Sequence, residues 1–161
     1  MLVRRTACFV ALALLAAVGC QAAPSAATHQ LSAEEQEALR VVNQLRTFNK
    51  QPPISQDVPL SFVARAHAQE TAAAGGEPKP PPEWLEKELA AVGHSGAVEI
   101  VTLEMDRLRV KNAVEEFFTP VRRYKYFKPE YQVCGVGVAQ FEGRGKFYMT
   151  LFFAAQPSKA K

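Results

Sequence analysis

The chain predicts an α+β domain, with helices packed on a small antiparallel sheet. Three observations predict it. Apolar residues recur at helical spacing in three successive segments of the first half. Two β-rich runs close the chain, joined by the turn Glu142-Gly-Arg-Gly145. A fourth helical segment, with a strand-like run before it, separates the two halves. At 161 residues, with 48% hydrophobic and 22% charged residues, one domain is the expectation.

The elements follow in order. Ser32-Ala-Glu-Glu35 has the pattern of a capping box, and Leu39, Val42, Leu45 and Phe48 continue it as a helix to about Asn49, where Pro52-Pro53 stops it. A second helix is predicted from Pro59 to Ala74, with Leu60, Val63, Ala64, His67, Ala68 and Thr71 on one face and Gly75-Gly76 as its stop. After a Pro-rich loop, Glu77 to Pro82, a short helix covers Glu83 to Val92. Val98 to Leu103 alternates as a strand, and Asp106 to Phe118 is helical until Pro120 ends it. A basic and aromatic connector leads to the strands Val133 to Phe141 and Lys146 to Ala155. The Gly143-Arg-Gly145 turn makes these two a hairpin.

The N-terminus reads as an export signal. Arg4 and Arg5 precede a 12-residue apolar run, Ala7 to Val18, too short to span a bilayer. Ala17-Val18-Gly19-Cys20 resembles a bacterial lipobox, in which the cysteine is lipidated and becomes the mature N-terminus; a plain cut near Ala22 or Ala23 is the alternative. The expected organisation is a leader, 1–19, a lipid-anchored tether, 20–30, a domain, 31–157, and a tail, 158–161. Loss of the leader leaves 17 Lys and Arg against 16 Asp and Glu, a net charge of +1. That balance gives no electrostatic case for nucleic acid as a partner. Cys134 is then left without a disulfide partner. Its apolar surroundings predict a buried small side chain rather than a reactive thiol.

Four segments carry a resemblance. Val42-Asn-Gln-Leu-Arg46 is similar to a "vNxxR" helix opening. Pro59 to Glu70 is similar to a "pLxxxAxxhAxxmA" helix. Val98-Glu99-Ile100 stands where "GENI" is found. Thr119 to Val138 stands, without a gap, where bacterial sequences read "SPGHRANILNPNYTEVGVGV". In this order they resemble the CAP superfamily of secreted proteins, over about residues 36–155. The resemblance implies an α-β-α sandwich around the sheet. It also implies a cleft that in the family holds two His and two acids able to bind zinc.

Departures from that pattern set the functional expectation. Glu99 matches the "GENI" acid, but Arg122 occupies the "SPGH" histidine position, and no His lies near Gly76 or Glu77 where the other is expected. His94, five residues before Glu99, is the nearby candidate, and Glu115 or Glu116 is the second acid. A guanidinium offers no lone pair to a metal and repels a cation, so no metal and no cofactor are expected. Glu99 paired with Arg122 is the expected replacement. The cleft candidates are therefore Glu99, Arg122, His94 and Glu116. Arg122-Arg-Tyr-Lys-Tyr-Phe-Lys128 interleaves cations and aromatics; the expectation is a loop whose rings pack inward. Ser61, Ser95 and Ser158 sit in no nucleophile motif, so no catalytic residue is assigned. The reading is an exported, membrane-anchored binding domain for a small apolar ligand, a lipid, an envelope polymer or a protein. The alternative is an envelope hydrolase using Glu99 with a neighbouring acid or His94.

Overall fold

The computed structural model describes residues 30–76, 83–96, 98–106, 109–141 and 145–156. The leader, Cys20, the tether up to His29, the Pro-rich loop, most of the hairpin turn and the tail lie outside the described residues.

Helix α1, Ala33–Phe48, starts at the expected box: Glu35 N–H donates to Ser32 Oγ at 3.2 Å, and Ser32 N–H donates to Glu35 Oε2 at 2.9 Å. Ala38, Val41 and Val42 form its buried stripe. One turn apart, Asn43 and Arg46 hold the following loop. Asn43 donates to Ile54 O at 3.0 Å and accepts from Ile54 N–H at 2.7 Å. Arg46 donates to Pro52 O at 2.9 Å and to Tyr131 O at 3.0 Å. The loop so held supplies strand β1, Ser55–Gln56, which pairs parallel with Val133 and Cys134. Helix α2, Val58–Ala73, begins at Asp57, whose Oδ1 accepts Leu60 N–H at 2.8 Å. Gly75 and Gly76, at φ 81° and 84°, end it.

Helix α3, Glu83–Ala91, strand β2, Glu99–Met105, and helix α4, Val110–Phe117, follow. Helix α4 opens at Val110 rather than Asp106, because β2 runs on to Met105. The expected connector is a fifth helix, α5, Pro120–Tyr126. Pro120 begins this helix as well as closing the last: its fixed φ suits a first helical position, and Thr119 Oγ1 accepts Arg122 N–H at 3.5 Å. Strands β3, Val133–Phe141, and β4, Lys146–Ala154, form the expected hairpin, in register from Val133 with Ala154 to Phe141 with Lys146.

The sheet order is β1-β3-β4-β2, antiparallel except for the two-residue β1, so the small sheet is mixed rather than wholly antiparallel. Alternation along β4 sends Phe153 to one face and Phe152 to the other. Phe153 joins Ala38, Val41, Val110, Val114, Phe118 and Phe127 under α1, α4 and α5. Phe152 joins Leu60, Val63, Leu85 and Leu89 under α2 and α3. The result is the expected α+β, α-β-α sandwich. Helix α2 lies directly on β3, where Gly135 and Gly137 leave no side chain between strand and helix backbones.

Candidate functional site

Strand β2 ends the sheet, so among the described residues one edge of its backbone has no strand partner. An open groove of about 630 Å³ runs along it from Thr102 to Asp106 and is closed on the far side by α4 and the start of α5. Its walls combine apolar Leu103, Met105 and Phe117 with charged Glu104, Asp106, Arg109, Glu116 and Arg122. Arg122 is held at the rim: its guanidinium lies over the Phe117 ring at 4.5 Å, and Nη1–H donates to Phe117 O at 3.4 Å.

Of the four cleft candidates, Glu116 and Arg122 share this groove, while Glu99 and His94 are not among its walls. Glu115 pairs with Lys111 at 4.0 Å on the helix surface. The expected Glu99–Arg122 pair is not formed. Glu99 Oε2 instead meets Lys125 Nζ at 3.1 Å, and this hydrogen bond is the main cause holding Lys125 above its usual pKa. The difference follows from α5: as a helix it puts Lys125 one turn beyond Arg122, level with the start of β2. His94 is buried, and its Nε2 lies 3.1 Å from Asp57 Oδ2. Asp57 directly follows β1, at the opposite sheet edge from β2, so His94 ties the end of α3 to the cap of α2 and makes no pair with Glu99.

The residues present do not suit a divalent ion. The position that the resemblance assigns to imidazole carries a guanidinium, and an ammonium sits on the matching carboxylate. Among the described residues, no three His, Cys, Asp or Glu side chains converge.

Solved structures share this arrangement. A cysteine-rich secretory protein from Staphylococcus aureus superposes with a TM-score of 0.55 at 14% identity, over 76% of this chain and 38% of its own. An extracellular protein containing an SCP domain, from Bacillus anthracis, gives 0.55 at 16%, over 80% of this chain and 45% of its own. The fold is that of a CAP domain. An outer surface protein from Borrelia burgdorferi gives 0.60 at 13%, over 80% of this chain and 98% of its own. The chain thus spans less than half of the staphylococcal and Bacillus proteins, and nearly all of the Borrelia protein. No family model and no curated protein matches its sequence.

Two further titratable groups inside the domain are Cys134 and His67. Cys134 is buried, and burial pushes its thiol up to about 12 against the opposing pull of Arg46. A thiol so placed is a poor nucleophile. His67 on α2 places Nδ1 3.1 Å from Thr150 Oγ1 and its ring edge-on to Phe152 at 6.0 Å. Burial lowers its pKa from the ordinary 6.5, partly offset by Glu70. The folded state thus favours neutral His67, while the unfolded chain takes up a proton below pH 6.5. This stability is complete above pH 6.5 and is lost as pH falls from there toward the lower folded value. His67→Gln is therefore expected to flatten the fall in urea midpoint between pH 7.5 and 5.5; an unchanged slope would assign that fall to other groups.

Sequence reasoning missed Lys125, Arg109 and Asp57. The signal for Lys125 was present: Thr119-Pro120 is a cap followed by a first-turn proline, and a helix begun there places residues three apart on one face.

Proposed function

We propose that this chain is an exported CAP-fold binding domain, held at a membrane by acyl chains on Cys20. Its groove along β2 takes an extended polar ligand, an envelope polymer or a peptide, without catalysis or a metal. The groove is the observation that carries this reading. Three acids, of which Glu104 is paired with Lys146, and two arginines line a strand edge unpaired among the described residues, which suits a ligand with backbone-like hydrogen-bonding groups better than a small apolar molecule. Internal satisfaction of the older cleft supports it: Glu99 is taken by Lys125 and His94 by Asp57. The hydrolase alternative uses Glu99 with a neighbouring acid or His94; His94 is paired with Asp57, and Glu99 itself is held by Lys125. The surface and extracellular descriptions of two similar structures agree with an exported site of action. Among the described residues, no helix is long and apolar enough to cross a membrane.

The test is a nuclear magnetic resonance titration with soluble peptidoglycan fragments and, separately, a mixed-sequence peptide library. Backbone signals from Thr102 to Asp106 and from α4 are expected to move. Arg109→Glu with Glu116→Lys is expected to weaken binding about tenfold or more, as charged hydrogen bonds are worth about 1.5–3 kcal/mol. Shifts confined to other faces would overturn the reading. So would micromolar zinc bound at Glu99.

A further inference from the structure

The three most exposed large apolar side chains described are Tyr124 at 86%, Val121 at 81% and Phe48 at 79%. Two of them share a side of α5, and Phe48 at the end of α1 lies near that helix. Val121 and Tyr124 are three apart on α5 and lie on the same side of it. Arg123, between them in sequence, reaches across so that its guanidinium stands 5.8 Å from the centre of the Phe48 ring at the end of α1. The rings expected to pack inward do so only in part. Phe127 is buried and Tyr126 half-buried against Phe118 and Phe153, whereas Tyr124 turns out to solvent.

The charge around these side chains is mostly positive, with Glu130 and Glu99 as the flanking acids. Thr119 to Pro129 contains Arg122, Arg123, Lys125 and Lys128 and no acid; Arg46 to Gln56, the other flank, adds Lys50 and no acid. Glu99 neutralises Lys125, leaving the other cations of α5 and its flank. This is a local excess on a chain otherwise close to neutral. An apolar and aromatic tip ringed by cations is the pattern of a surface that enters the headgroup region of an anionic bilayer.

We propose that this face, formed by α5 and the end of α1, docks on an anionic lipid bilayer and sets the orientation of the domain there. Val121, Tyr124 and Phe48 enter the interface, and Arg122, Arg123 and Lys128 meet the lipid phosphates. The inference stands on this face alone and does not depend on what the β2 groove binds. Chain geometry permits it. The ten residues from Cys20 to Gln30 reach about 35 Å when extended, and α1, from the tether to the face, is about 24 Å long. An anchored domain can therefore lay the far end of α1 on the same membrane. Arg122 belongs to both this face and the groove rim, so docking would bring the groove mouth close to the membrane surface.

The test uses the full chain in vesicles, with tryptophan as a positional probe. Trp84→Phe is combined either with Tyr124→Trp or, as a control in the opposite layer, with Phe62→Trp. Vesicles contain a spin-labelled quencher lipid in phosphatidylcholine, with or without phosphatidylglycerol. Quenching at position 124, and not at 62, is expected only with phosphatidylglycerol. It should be lost near 1 M salt, where the Debye length is about 3 Å. Arg122→Gln with Lys128→Gln should lower the ratio of docked to undocked domain about 25-fold, from a roughly fivefold loss for each cation removed. No quenching at 124 in anionic vesicles overturns the proposal. So does equal quenching at 124 and 62, which means proximity without orientation. Protection of position 124 without lipid, rising with protein concentration, also overturns it, because the face would then pair with a second copy.

Discussion

A chain carrying Gly137→Ala is expected to unfold at a much lower urea concentration. A methyl group at Gly137 would stand 2.2 Å from Arg65 N and 2.4 Å from Ala64 C, both backbone atoms of α2. No rotamer relieves such a contact, so α2 must move. It cannot move freely, because Gly135 meets the backbone of Leu60 in the same way one turn earlier. Glu35 also joins the two elements, accepting from Arg65 Nε at 3.0 Å and from Val138 N–H at 3.3 Å. Overpacking commonly costs about 1–3 kcal/mol and exceeds that where backbone must shift. At least about 3 kcal/mol is expected here, a large part of the 5–15 kcal/mol that holds a typical domain. Gly96→Ala, which meets nothing within 4 Å, is the matched control and is expected to be near neutral. Urea unfolding followed by circular dichroism makes the comparison. Equal midpoints for the two variants would mean that α2 does not rest on β3 as described.

Arg46→Ala is expected to cost about 3–5 kcal/mol, measured in the same way. Arg46 is fully buried, and desolvation pulls its guanidinium below the usual arginine pKa. Among the described residues it has no carboxylate partner. It spends Nε and Nη2 on two backbone carbonyls, lies 5.9 Å from the centre of the Phe127 ring, and leaves Nη1 without a partner. Truncation strips the donors from Pro52 O and Tyr131 O and opens a hole between α1 and the segment leading into β3. One gain opposes these losses: an expensive buried charge disappears. Arg46→Met fills most of the space without that charge and is expected to recover about half of the loss. If alanine were harmless, Asn43 and the pairing of β1 with β3 would be enough to hold the loop.

These two residues show what local pattern can and cannot convey. The capping box at Ser32, the glycine stops and the apolar runs of β3 and β4 are written in neighbouring residues, and they predicted four helices, three strands and the hairpin. Gly135 and Gly137 were legible as small residues in a strand, but the α2 backbone that requires them comes from a segment some seventy residues earlier. The site was less legible than the fold. Glu116 and Arg122 do share a groove. The partners of Glu99 and His94 were not foreseen, because each lies on another element: Lys125 on a helix that reads as a loop, and Asp57 at the far edge of the sheet.

By itself the sequence determined the class of the domain, the order of its elements apart from β1 and α5, and its likeness to the CAP pattern, since each rests on short-range periodicity, caps and turns. Its N-terminal composition also supports the expectation of export. Only the tertiary structure decided which charges meet, where the open groove runs and which aromatic faces water. A salt bridge or an exposed ring depends on the phase of a helix and the stacking of layers. A change of one residue in where α5 begins turns its side chains by about 100°, because 3.6 residues make a turn. That phase settles whether Arg122 or Lys125 reaches Glu99, and whether Tyr124 packs inside or stands in solvent.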